Sequence, residues 1–468
     1  MAQEINKKLL LFVLLLGGFV SILNQTLLNV GLSEFMEVFR VNETTVQWLA
    51  TGFMLVNGVL IPVTAFLMKR FSTRQLFISS MLFLLIGSII CAIAPNFAIL
   101  LMGRMLQAAG AGIIMPLMMS IVMVIFPPEK RGSAMGLLGV AMIFAPAIAP
   151  TLSGFVIDYL SWRWLFIGLI PLVALVILLA LKYLVNVSEG SDAKLDYLSV
   201  VLSTIGFGLV LFGFSNAGSH GWDDAIVLTT IIVGVVVLAL FTIRQLRAKD
   251  PFLNVRVFQN KTFTMTSFIN IIITMMLYAD MILLPIYLQN GRGFSAFDAG
   301  LLLLPGALVN AFLSPVTGKL YDRFGAKPLF IIGLIFVIPS MWVVTNLTED
   351  TTYTFLMIRT IFLRIGLSFI TMPLNTAGLS ALSKEQVTHG TAVNNTVRQI
   401  AGAIGTAVVV TIYTSNATDQ AAVLMNKGIT ERVKELASIF ASSESYYFMM
   451  ILSVIALVIT FITPLKKQ

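Results

Sequence analysis

Asp280 stands in the run 263–288, which is otherwise apolar and long enough to cross a bilayer. A carboxylate in hydrocarbon costs several kcal/mol unless it is protonated, paired or facing water, so its presence there points to function. Such a group can take up and return a proton, pair with a cation or bind a ligand. Four arginines also fall inside apolar runs: Arg104, Arg359, Arg364 and Arg398. At 1.5 Å per residue Asp280 lies roughly 12 Å from the outer end of its run. Arg364 falls at similar depth and is the expected partner. Arg359 lies nearer the outer surface, where its guanidinium can snorkel to water. Arg398 sits near the inner end of its run, with either role open.

Neutral polar groups accompany these charges. Asn24, Gln25, Asn29, Asn270, Asn310, Asn375 and Asn394 could each offer hydrogen bonds to a ligand, although such residues also serve as helix–helix contacts. Among the 23 methionines, Met115, Met119 and Met276 could form an adaptable apolar wall, with Tyr278 beside them. His220 and His389 fall in connecting segments and are given no role. The chain has no glycine-rich phosphate cradle of the Gly-x-x-x-x-Gly-Lys-Ser type, hence no ATP motor of its own. No cluster of His, Cys and carboxylates suggests a metal, and no nucleophile–base set suggests an enzyme. Energy for any work must come from an ion gradient, with no cofactor.

The elements that position these groups are transmembrane helices. The 468 residues are 58% hydrophobic and 11% charged, and the mean hydropathy is +0.94. A soluble domain cannot hide that much apolar surface, so the chain is an integral membrane protein. The run 9–30 is too long for a signal-peptide core and is read as the first span. Fourteen apolar windows near twenty residues follow one another, each close to the length that spans a bilayer. With the N-terminus inside, twenty of the thirty Lys and Arg residues fall in inside segments and six in outside segments. That bias sets the orientation, and an even number of spans puts both termini in the cytoplasm. The net charge of +8 thus reflects topology rather than nucleic-acid binding. The spacing over 423–440 is compatible with a helix lying on the membrane, but residues 415–445 are read as an outside loop.

An internal repeat organises the spans. The turn at Gly318, Asp322, Arg323, Gly325 and Lys327 superposes on that at Ala65, Lys69, Arg70, Ser72 and Arg74, with an offset of 253 residues. Met115-Pro116-Leu117 recurs as Met372-Pro373-Leu374. Repeats of this kind mark secondary transporters, whose substrate sites lie where repeats meet. The arrangement is six helices (1–187), a two-helix insertion with a basic linker (188–262), and six more (263–468). Shifting Asn24 by 256 lands on Asp280.

The pattern Gly-x-Leu-x-Asp-Arg-x-Gly-x-Lys at 318–327 resembles the loop signature of the major facilitator superfamily. Arg104, Gln107, Gly110 and Gly112 resemble its Arg-x-x-Gln-Gly-x-Gly stretch. Pro146, Pro150 and Gly154 share a helix face and resemble the fifth-helix motif of antiporters. Leu23 to Val30, Trp162-Arg163-Trp164 and Arg398 to Gly405 are similar to the fourteen-helix drug:proton antiporter family, nearest its lincomycin-resistance branch, with the EmrB and QacA types more distant. Three departures stand out: Asn24 replaces that family's first-helix Asp, Lys69 replaces a loop Asp, and Ala149 and Ser153 replace glycines. The resemblance implies an all-α, fourteen-helix major facilitator fold in a bacterial plasma membrane. It implies that the ninth and twelfth spans border a central cavity and that Arg104 belongs to a coupling network; the family's coupling residue does not carry over, and Asp280 and Arg364 are given that role from their place in the membrane.

The expected function is proton-coupled export of small amphipathic compounds by a monomer among membrane lipids, with Asp280 carrying the proton. Export of an endogenous metabolite, lipid or siderophore is the alternative within transport. A non-transporting membrane sensor or scaffold is the alternative outside it.

Overall fold

The computed structural model describes residues 7–28, 32–41, 43–46, 48–187, 190, 196–249, 251–429 and 431–462. Among the described residues every regular element is helical. Chains that span a bilayer must satisfy each backbone N–H and C=O within the span, and a helix does so by itself.

The first half contains α1 (Lys7–Leu27), α2 (Leu32–Phe39), α3 (Glu43–Val46), α4 (Trp48–Arg70), α5 (Thr73–Ala92), α6 (Phe97–Ile125), α7 (Pro128–Tyr159), α8 (Trp164–Ile167) and α9 (Leu169–Tyr183). Two more helices follow, α10 (Tyr197–His220) and α11 (Ala225–Arg247), then α12 (Lys261–Ile286), whose last turn widens into a π-turn over Tyr287–Gly291. The rest is α13 (Ala296–Phe324), α14 (Ala326–Trp342), α15 (Tyr353–Ser380), α16 (Lys384–Asn426) and α17 (Val433–Ile462). Among the described residues, twelve helices are long and apolar enough to span a bilayer. The number is thirteen when the two segments of α4, inclined by 53°, are taken as one span. The eleventh expected span, α14, has only 17 residues.

Two compact units divide the chain. One comprises Met1–Leu209, Val233–Val257 and Leu382–Thr396; the other comprises Val210–Ile232, Phe258–Ala381 and Val397–Gln468. The helices α10, α11 and α16 thus contribute residues to both.

In the first unit α6 packs on α4 and α5, while α1 packs on α7. Ser153 Oγ on α7 donates to Leu27 O in the last turn of α1 at 2.6 Å. One end is closed by an aromatic cluster in which Trp162 meets Phe35 and Phe39 edge-on, at 5.4 and 5.3 Å between ring centroids. Asp196, just before α10, accepts two hydrogen bonds from Arg244 on α11, at 2.9 and 3.0 Å. That contact, with a hydrogen bond from Ser199, holds the Asp196 carboxyl at a pKa of about 2.

In the second unit α15 packs on α12, α13 and α14, and α17 packs on α12 and α14. The repeat seen in the sequence is present in the helix crossings. A Cβ on Gly110 of α6 would lie 2.3 Å from Ser80 O on α5; a Cβ on Gly366 of α15 would lie 2.6 Å from Gly333 O on α14. Gly366→Ala must therefore push two helices apart. It is expected to cost about 1–3 kcal/mol and to lower the melting temperature of the purified protein; an unchanged melting temperature would contradict this crossing.

Two sequence expectations are corrected. Residues 415–445 are not a loop: α16 continues to Asn426 and α17 starts at Val433, so only a short turn joins them. Leu424, Val433 and Ala437 pack together beside that turn, and Arg432 bridges Glu349 and Glu435. The burial of this small apolar seam explains why helix continues past the hydrophobic stretch. His389 lies within α16 rather than in a connection; it is buried, and its Nδ1 accepts the Asn254 N–H at 3.1 Å. This contact anchors the linker before α12 within the first unit.

Candidate functional site

Asp280 lies on α12, six residues before the helix ends in the π-turn. Its side chain is fully buried in the second unit. Arg359 on α15 donates from Nη1 to Asp280 Oδ1 at 2.7 Å, and Tyr446 Oη on α17 donates to the same oxygen at 3.1 Å. The guanidinium is held from its other edge as well. Its Nε donates to Ser340 O at 2.8 Å and its Nη2 contacts Met341 Sδ at 3.4 Å. The Tyr446 ring lies 4.9 Å from the guanidinium carbon. Four helices, α12, α14, α15 and α17, therefore meet in one charged cluster.

The cluster is not fully satisfied. Asp280 Oδ2 is buried and accepts no hydrogen bond. A buried acceptor without a donor is costly. An ion pair of this kind adds little net stability but is expensive to break by removing one member.

The partner expected from depth, Arg364, is not the one Asp280 uses. Arg359 and Arg364 are five residues apart, which on an α-helix is about 140° around the axis. Only Arg359 makes a direct contact with Asp280 on α12. Arg364 packs along α13, where a Cβ on Gly306 would lie 3.0 Å from Arg364 Cγ. The expectation that Arg359 snorkels is likewise corrected: its side chain is buried inside the ion pair.

The first unit carries the corresponding arrangement with the acid removed. Arg104 on α6 is 1% exposed. Its Nη1 donates to Asn24 O at 3.2 Å, to Gln107 Oε1 at 2.9 Å and, at 3.4 Å, to Asn24 Oδ1. Gln107 is in turn fixed by Ser88 Oγ at 2.9 Å, and Phe53 lies beneath the guanidinium at 4.5 Å. Arg104 and Arg359 differ by 255 residues and Asn24 and Asp280 by 256, so the two pairs are repeat equivalents. Arg104 Nε and Asn24 Nδ2 are buried without partners. The equivalence of Arg104 and Arg359 was readable from the repeat offset; the depth argument obscured it.

The other predicted residues are dispersed. Met276 belongs to the core of the second unit, and Met119 is buried with its sulfur against Asn395 Nδ2 at 3.5 Å. Gln25, Met115 and Tyr278 are partly exposed. Asn375 Nδ2 donates back to Thr371 O at 2.9 Å, and Asn310 is buried with its Oδ1 unpartnered. Asn29 and the side chain of Pro150 lie outside the described residues. Pro146 is partly buried on α7, and a Cβ on Gly154 would meet nothing within 4 Å, so close packing does not require glycine there.

Among the conformational motifs, Gly325 adopts φ +80 at the end of α13, a conformation that favours glycine. Arg323 lies over Phe324. Arg74 donates from its backbone to Asn186 Oδ1 at 3.1 Å and from its guanidinium to Leu181 O. Arg70 ends α4, Gly318 and Asp322 lie in the last turns of α13, and Arg398 is partly buried in α16. A cavity of about 300 Å³ in the first unit, lined by Met68, Leu117, Ser120, Lys384, Glu385 and Thr388, contains none of the predicted cavity residues.

The profile of the major facilitator superfamily matches residues 14–406. The uncharacterized MFS-type transporter YhcA of Bacillus subtilis (strain 168) is 50% identical over 88% of this chain and 78% of its own. The lincomycin resistance protein LmrB of the same strain is 43% identical over 98% of this chain and 96% of its own. The solved structure of the proton:xylose symporter XylE superposes with a TM-score of 0.64 at 13% identity, covering 97% of this chain and 95% of that one, a likeness of fold alone.

Proposed function

Because this chain belongs to the major facilitator superfamily of membrane transporters, we propose that it is a proton-coupled exporter of small amphipathic compounds. The observation that carries the reading is the buried Asp280–Arg359–Tyr446 cluster with its one unpartnered carboxylate oxygen. The driving force in this reading is the proton gradient, and a proton crossing 100 mV releases about 2.3 kcal/mol.

In this reading Asp280 is ionised while it holds Arg359. Proton uptake at the free oxygen removes the charge that joins α12 to α15, and so biases the packing of the helices that share the cluster. Two arrangements of those helices with different proton affinities are what coupling requires. Alternating access then follows when one arrangement opens toward each side of the membrane. Arg104 supplies a permanently charged counterpart in the first unit, where Asn24 cannot titrate. With α14 counted as a short span, at the lower limit for crossing hydrocarbon, the spans number fourteen. Both termini then lie on the cytoplasmic side of a bacterial plasma membrane. The arrangement is six, two and six helices, and the protein works as a monomer.

The function is tested by expressing the gene in a pump-deficient bacterial host and measuring resistance across a compound panel. Everted vesicles then report uphill accumulation of each protected compound under an imposed pH gradient. Resistance to at least one compound and gradient-driven accumulation are expected. A panel without protection, or accumulation indifferent to the gradient, contradicts the proposal.

A further inference from the structure

Arg364 makes no ion pair and no hydrogen bond among the described residues, and its Nε is buried without a partner. Two more orphaned groups lie on the same crossing of α13 and α15. Thr360, one turn before Arg364 on α15, is 0% exposed and its Oγ1 is unpartnered. Asn310, one turn after Gly306 on α13, is 5% exposed and its Oδ1 is unpartnered. Gly306 joins the first two, because a Cβ there would lie 3.0 Å from Arg364 Cγ and 3.1 Å from Thr360 Cγ2, and Asn310 shares the Gly306 face of α13 one turn on. Each of these three side chains carries a buried polar atom without a partner, and such atoms are costly when left bare.

We infer that this crossing in the second unit binds the anionic head group of the transported compound, a carboxylate or sulfonate bearing a neighbouring N–H or O–H. Guanidinium presents donors only, in a fork that fits such anions with two parallel hydrogen bonds. The Asn310 carboxamide oxygen accepts the neighbouring donor, and the Thr360 hydroxyl can serve either way. The charge balance agrees. Within the second unit Arg364 is in electrostatic reach of Arg359 and of one carboxylate, Asp280, and Arg359 already occupies that carboxylate. An anionic ligand reduces that excess positive charge, whereas a cationic ligand adds to it.

The inference rests on the export reading for its context, but its test needs no gradient and no coupling. Purified full-length protein in nanodiscs is titrated with dansylglycine, which carries a carboxylate beside a sulfonamide N–H, and with the cationic dansylcadaverine. Wild type is expected to bind dansylglycine saturably and more tightly. Arg364→Gln should weaken it by about tenfold or more, the loss expected for a charge-assisted hydrogen bond. Asn310→Asp supplies an internal carboxylate to Arg364; this variant should fold and should also lose dansylglycine. Asp280→Asn removes a negative charge within electrostatic reach of Arg364, so it should bind dansylglycine at least as tightly as wild type, which separates this site from a failure of proton coupling. The inference is overturned if wild type shows no preference for dansylglycine. It is overturned equally if folded Arg364→Gln, or Asn310→Asp in its place, binds dansylglycine as wild type does.

Discussion

Arg359→Leu is expected to destabilise the protein by about 3–5 kcal/mol, the cost of leaving one member of a buried ion pair without the other. Asp280 would keep only the Tyr446 hydroxyl, with its second oxygen already unpartnered. Ser340 O, now served by Arg359 Nε, would lose that donor as well. The double variant Asp280→Asn/Arg359→Leu removes the stranded charge and should regain most of the loss. Thermal unfolding of the three proteins in one detergent measures this. Equal melting temperatures for wild type and Arg359→Leu would show that the pair is not buried as described.

Asp280→Asn is expected to fold and to lose concentrative export. The first unit is the precedent for folding, because there a buried guanidinium already rests on an asparagine. The size of the transport effect follows from the driving force. One proton at 100 mV supplies about 2.3 kcal/mol, enough to hold a gradient of roughly fifty-fold. Without a titratable group at this position the gradient should collapse toward unity while downhill movement continues. Vesicle accumulation at a fixed membrane potential reads it. A variant that still concentrates substrate tenfold would place the coupling elsewhere.

The spanning helices were legible because apolar runs of bilayer length have few alternatives, and the repeat was legible in its turn residues. Asp280 stood out for the same reason, as a charge where charges are expensive. Its partner did not. Hydropathy places a residue along a helix axis but not around it, so Arg364 matched in depth while Arg359 matched in direction. The Arg104–Arg359 equivalence at an offset of 255 carried the missing angular information. The helical extension through 415–426 was hidden because its Ser, Asn, Thr, Asp and Gln residues read as loop. Tertiary burial of Leu424 against Val433 and Ala437 overrides that polarity. Tyr446 carried no signal in the sequence, since a tyrosine near a membrane helix end is ordinarily an interfacial anchor.

In the proposed cycle the proton is carried in the second repeat, at Asp280, where the first repeat has only Asn24. The most direct test is substrate-dependent proton movement in proteoliposomes, read with an entrapped pH-sensitive dye and a compound from the resistance panel. Wild type should move protons when substrate is added, Asp280→Asn should not, and Asn24→Asp on that background should restore at least part of the flux. Proton flux in Asp280→Asn equal to wild type would contradict the account.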